Sequence, residues 1–140
     1  MEKWVLYAIV SMAFAGFTSV IAKLGLAGIS GDLGLAVRTC FVFAFVLMFA
    51  GAVVPIEQVR SLTPRNIGWL ALSGVTTAGS WIFYYKAIKL GEVSTVALID
   101  KGSVVVALVL AWLLLGESLT AAKLIGGAMM LGGLLAIAKG

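Results

Sequence analysis

The stretch VSTVALIDKGSVVVALVLAWLLLG, residues 93–116, decides the class of this chain. It is long enough to cross a bilayer, which takes about 20 apolar residues in a helix. It is almost wholly apolar apart from one adjacent pair, Asp100 and Lys101. A charge at membrane depth costs roughly 2.5–3.5 kcal/mol on insertion scales. Two in succession therefore point to a substrate path, a proton relay or a structural ion pair.

The rest of the chain agrees. Uncharged runs cover residues 4–22, 39–56, 66–85 and 124–138. Of the 140 residues, 62% are hydrophobic and 11% charged, against about 45–50% and about 25% in soluble domains. A small domain buries only about 60–70% of its surface, so this excess of apolar residues needs lipid as its solvent. With no His, a His-based acid–base or metal site is excluded, and with one Cys no disulfide can form within the chain. Cys40, in an apolar run, is expected to be a small buried hydrophobe. The net charge of +4 is scattered, so nucleic acid is not an expected partner.

Five membrane-spanning helices are predicted, at about residues 4–27, 33–55, 65–88, 93–116 and 120–139. The fold class is all-α, and strands are not expected because the runs are apolar throughout rather than alternating. The breaks carry turn chemistry: Gly28 to Asp32, Pro55 and Pro64 around a polar loop at 57–65, Gly91-Glu92, and Gly116 to Thr120 with Ser118 or Thr120 as an N-cap. No small-residue cleavage pattern follows residues 4–22, which reads as a retained helix rather than a signal peptide. Five spans put the termini on opposite sides. The N-terminal side carries Lys3, Arg60, Arg65 and Lys123. The other carries Lys89 and Lys139, with Lys23, Lys86 and Arg38 near it. That bias is too small to set one orientation by the positive-inside rule, so dual and fixed orientation both fit.

Tyr85-Lys86-Ala87-Ile88-Lys89-Leu90-Gly91-Glu92-Val93-Ser94, then Ile99-Asp100-Lys101, then Leu115-Gly116-Glu117-Ser118-Leu119, resembles the EamA domain of the drug/metabolite transporter superfamily. A Gly-rich last helix, Ile125 to Gly133, follows as it does in that family. The resemblance covers nearly the whole chain and implies a single EamA-like domain over 1–140. It implies secondary transport of small solutes without naming the solute. Most members carry two such domains, so a single one is expected to pair with a second copy. A homodimer, with antiparallel pairing as one arrangement, would reproduce the inverted repeats of many secondary transporters.

The charges at depth fall toward one side: Lys23, Arg38, Lys86, Asp100 and Lys101. The candidate substrate-binding or coupling residues are Asp100, Lys101, Arg38, Trp81 and Tyr85. Adjacent helical residues point about 100° apart, so Asp100 and Lys101 cannot both face one narrow cavity. Asp100 shares a face with Ala97, Ser103, Val104 and Ala107 and is the better cavity candidate. Trp81, Tyr84 and Tyr85 lie on one broad face, either as an aromatic wall or as an interfacial belt. Lys23 and Lys86 can snorkel to headgroups, Lys123 likewise at the start of the last helix, and Asp100 can pair with Arg38 or Lys101. Gly126, Gly127, Gly132 and Gly133 form a packing or dimer face. Glu117 is expected to serve a structural part near the next helix's N-terminus.

The expected function is a multi-pass cell-membrane transporter or exporter of a small anionic or zwitterionic metabolite, working by alternating access around helices 1–4. No cofactor or metal is expected, and no nucleophile–base constellation or phosphate-cradling loop suggests an enzyme. Two other readings stay open: a flippase-like or accessory membrane subunit, and a structural membrane protein with paired buried charges.

Overall fold

The computed structural model describes residues 2–139, without the side chains of residues 138 and 139. Lys139, counted above among the charges, thus has its side chain outside the described residues. Among the described residues the chain is helical and has no strand. The helices are α1 (Lys3–Gly25), α2 (Gly31–Val53), α3 (Ile56–Arg60), α4 (Pro64–Leu90), α5 (Val93–Asp100), α6 (Ser103–Leu115) and α7 (Ala121–Lys139). Three stretches are both long and apolar enough to cross a membrane: α1, α2 and Val93–Leu115. The apolar helix Ala121–Ile137 is shorter.

Local chemistry explains the boundaries. The Ser30 side chain accepts from the Leu33 N–H at 3.2 Å and caps α2. Thr63 accepts from the Asn66 N–H at 3.2 Å, and Pro64 follows at the first helical position, where its missing N–H costs nothing. Thr120, one of the two residues expected to cap the last helix, accepts from the Lys123 N–H at 3.3 Å. At the end of α6, Gly116 adopts φ 67°, a left-handed conformation that favours glycine. The Glu117 N–H then closes on the Ala111 carbonyl.

Two expectations are corrected. The loop at 57–65 contains α3, whose Glu57 in the first turn and Arg60 in the last both suit the helix dipole. The predicted single helix at 93–116 is interrupted at Lys101-Gly102. Both residues keep right-handed dihedrals, but hydrogen bonds tighten to i→i+3: Lys101 N–H to Leu98 O at 3.1 Å, Gly102 N–H to Ile99 O at 2.9 Å, Val104 N–H to Lys101 O at 3.1 Å. This is a turn of 3₁₀ helix within an α-helical rod. It coincides with a close approach by α7, since a Cβ on Gly102 would lie 3.1 Å from Leu134 Cδ1.

The chain divides into two compact units, Met1–Leu90 and Gly91–Gly140. In the first, the buried apolar side chains are Leu26, Leu35, Tyr85 and Ile88, gathered where the C-termini of α1 and α4 meet the N-terminus of α2. Gly31 permits that meeting, because a Cβ there would stand 2.9 Å from the Tyr85 carbonyl oxygen. Leu26 packs over Gly34 in the space where a side chain would otherwise project. Away from this knot the helices expose apolar residues such as Phe14, Phe43, Phe49 and Leu72, the surface a lipid-facing helix requires. Hydroxyls within the helices bond back to carbonyls, as Thr18 does to Phe14, Thr39 to Leu35 and Thr77 to Ser73, so little polar surface is left for lipid to meet. In the second unit α7 packs on α5 and α6.

Candidate functional site

Arg38 lies on α2 two turns from its buried N-terminus, roughly 10 Å along the axis at 1.5 Å per residue. Trp81 and Tyr85, four residues apart on α4, present their rings to it. The guanidinium carbon sits 4.4 Å from the Trp81 ring centroid and 5.8 Å from that of Tyr85. Arg38 Nη1 is fully buried and has no hydrogen-bond partner among the described residues.

The energetics of this cluster do not close among the described residues of the first unit. A cation over an aromatic face gains about 2 kcal/mol when desolvated. Withdrawing a charge from water costs several kcal/mol even after relaxation. Two rings offset part of that cost, and among the described residues of the first unit no carboxylate pairs with Arg38. The arrangement is suited to receiving an anion.

Arg38 also lines a cleft of about 570 Å³ between α1 and α2, within the roughly 300–1,000 Å³ of small-molecule sites. Positions 34, 37, 38, 41, 42 and 45 form its α2 wall, a single helical face. A second cleft of about 590 Å³ lies between α2 and α4, with Asp32, Thr39, Thr77 and Trp81 in its wall.

Three other cations of the first unit, Lys23, Lys86 and Lys89, have protein partners. Lys23 of α1 donates to the Ile88 carbonyl of α4. Lys89 of α4 donates to the Leu26 carbonyl at 2.9 Å. Each lysine thus caps the C-terminal carbonyls of the other helix, where a cation also meets the negative end of the dipole. Lys86 pairs with Asp32 at 3.7 Å, with both side chains more than half exposed. Such a pair contributes about 0–1 kcal/mol.

The sequence-predicted residues divide accordingly. Arg38, Trp81 and Tyr85 come together in the first unit. Tyr84 leaves the shared aromatic face: its hydroxyl donates to Ser19 Oγ of α1 at 2.7 Å, and its ring meets Tyr85 edge-on at 6.5 Å. Asp100 and Lys101 lie in the second unit, at the 3₁₀ turn. Asp100, partly buried, ends α5, and Lys101 is its C-cap. Among the described residues no hydrogen bond or ion pair ends on either side chain, so Asp100 and Lys101 do not bridge each other. Lys123 closes its own loop, bonding Glu117 at 3.3 Å and the Ser118 carbonyl at 3.2 Å. Cys40, expected to be buried, is exposed.

The α7 glycines separate as well. A Cβ on Gly127 would meet Leu108 of α6 at 3.3 Å, whereas Gly126, Gly132 and Gly133 have nothing within 4 Å. Sequence reasoning missed Asp32, Lys89 as a cap, and the aromatic wall of Phe41 and Phe45. The i, i+3, i+4 recurrence around Arg38 could have flagged that wall, but an all-apolar helix hides which face is special.

Apolar spanning helices with a cation held in an apolar cleft define a helical membrane protein. The chain belongs to the EamA-like transporter family, whose model matches residues 2–139. It is 34% identical over 137 residues to a Sinorhizobium sp. protein described as "Uncharacterized transporter in cobO 3'region", covering 98% of this chain and 97% of that one. No solved structure matches. Membership makes the protein a membrane transporter and not an enzyme.

Proposed function

We propose that the protein is a secondary transporter of a small anionic or zwitterionic metabolite, embedded in the cell membrane by five spans and working as a homodimer by alternating access. One observation carries the substrate charge: the Arg38 guanidinium, stacked on Trp81 and Tyr85 with Nη1 buried and unpartnered. The five-span reading counts α4 and α7 as crossings in addition to the three more apolar stretches. The length of α4, 27 residues, exceeds what a bilayer needs, about 20 residues. A second copy, inserted antiparallel, would supply the inverted partner. Asp100 is the proposed coupling carboxylate, since its side chain has no partner among the described residues and sits at a 3₁₀ turn, a feature that often marks a hinge.

The test is a thermal-shift screen of purified protein against anionic, zwitterionic and cationic metabolites, followed by proteoliposome counterflow of those that stabilise it. Ligands that bind the native state raise apparent stability. Stabilisation by anions or zwitterions, lost in Arg38→Gln, is the expected result. Stabilisation only by cations would overturn the substrate class. Reporters fused to the C-terminus test pairing: signal from both membrane faces supports the antiparallel dimer, and signal from one face removes it.

A structural reading is favoured for Lys23, Lys86 and Lys89 by their committed partners. It does not extend to Arg38, whose charge no carboxylate meets among the described residues of the first unit.

A further inference from the structure

Resting on the anion-transport reading, we infer that the ligand of the α1–α2 cleft is an organic monocarboxylate with an apolar body, its head on Arg38 and its body lying along the cleft toward Phe45.

Three observations lead there. First, among the described residues Arg38 is the one charged residue lining the cleft, and none of the lining is acidic. An ammonium group would find no counter-charge, which disfavours zwitterions and leaves a single anionic head. Second, the walls beyond Arg38 are mainly apolar, with Val37, Phe41, Val42 and Phe45 from α2 and Ile21 and Ala22 from α1, and of the polar side chains there Thr18 already donates its hydroxyl to the Phe14 carbonyl. A body with several polar groups would be desolvated there with only the Thr18 and Tyr85 hydroxyls to meet it, at a cost of about 1–3 kcal/mol for each group left unpaired. An apolar body gains on entry. Third, the geometry sets a length. Arg38 and Phe45 are seven residues apart, about 10 Å at helical rise, close to an extended chain of about eight carbons.

The guanidinium suits a carboxylate in particular. Its planar fork donates two parallel hydrogen bonds to the two carboxylate oxygens. The rings of Trp81 and Tyr85 hold its plane while Nη1 is already cut off from solvent. A poorly solvated cation gains more from an arriving anion than a hydrated one does.

The same chemistry, an anionic head on an apolar chain, is found in soluble carboxylates and in membrane lipids, and the experiment separates them. Binding of acetate, butanoate, hexanoate and octanoate is measured by thermal shift on wild-type protein in nanodiscs, beside octanamide and octylamine. Each added methylene should tighten binding by about fourfold, the equivalent of ~0.8 kcal/mol per buried CH₂. Octanamide and octylamine should give no shift. Phe45→Ala should weaken octanoate at least tenfold more than butanoate, and Arg38→Gln should remove both.

Octanoate binding no tighter than acetate would overturn the apolar-body inference while leaving the anion reading intact. Equal binding of octanamide would overturn the Arg38 anchor, and absence of any anion binding would overturn both. Octanoate binding in phosphatidylcholine nanodiscs that phosphatidylglycerol abolishes would assign the cleft to lipid and overturn the soluble-carboxylate inference. These wild-type comparisons hold even where a variant fails to fold.

Discussion

Lys89 Nζ lies 2.9 Å from the Leu26 carbonyl oxygen, and Lys23, three residues before Leu26, returns a hydrogen bond to the Ile88 carbonyl, one residue before Lys89. The two lysines thus cross-cap α1 and α4 at one end of the first unit. A hydrogen bond to a charged group contributes about 1.5–3 kcal/mol when shielded and less when exposed. Lys23→Met and Lys89→Met should each lower stability by about 1 kcal/mol. Because both bonds hold the same pair of helix ends, the double variant should depart from additivity by 0.5 kcal/mol or more, about the least seen for coupled neighbours. Unfolding in detergent across the four proteins checks this, and strict additivity would show two independent caps.

The Arg38–Trp81 contact predicts that charge alone does not suffice. Lysine keeps the charge but lacks the planar fork and the stacking surface. Arg38→Lys should weaken anion binding by at least tenfold. Trp81→Leu should lower stability by about 0.5–2 kcal/mol through the lost cation–π contact. Thermal-shift titration of both variants gives the two numbers, and wild-type binding by Arg38→Lys would contradict the role of the stacked fork.

Gly31 offers a steric test. Gly31→Ala would set a Cβ 2.9 Å from the Tyr85 carbonyl oxygen, which is backbone and cannot rotate away. Overpacking of this kind costs about 1–3 kcal/mol. Gly51→Ala, with nothing within 4 Å, should instead gain about 0.5–1 kcal/mol from helix propensity. Opposite signs in thermal stability are the expected result.

Asp100 ends α5, where the helix dipole disfavours a carboxylate. Its side chain has no hydrogen bond or ion pair among the described residues, so Asp100→Asn should leave stability within about 0.5 kcal/mol. As the proposed coupling group its loss should abolish pH-driven uptake while counterflow exchange survives. Loss of both fluxes in a stable variant would make it a binding residue, and retention of both would leave it as scaffold.

The α7 glycines give a last pair of outcomes. Gly127→Leu should destabilise the second unit, because a Cβ there already meets Leu108 at 3.3 Å. Gly132→Leu meets open space within the chain. If that face is the proposed dimer contact, the variant should shift the protein toward monomer on size-exclusion without an earlier melt of the monomer.

What the sequence determined by itself was local. Long apolar runs specify spanning helices because lipid cannot hydrogen-bond an open backbone. Ser30, Thr63 and Thr120 set helix starts, and Gly116 sets a stop, through bonds spanning only a few residues. The family was legible for the same reason, since its signature is a series of short segments around the helix ends. Tertiary structure decided which charge meets what. Arg38 and Trp81 are 43 residues apart, and the two lysine caps join residues 65 and 63 apart. Nothing in an all-apolar run distinguishes the face that holds Phe41 and Phe45 from the face that meets lipid, because both are equally hydrophobic. The 3₁₀ turn at Lys101-Gly102 was also beyond sequence, since right-handed dihedrals there are open to α and 3₁₀ geometry alike. Only packing, with α7 close over Gly102, separates the two.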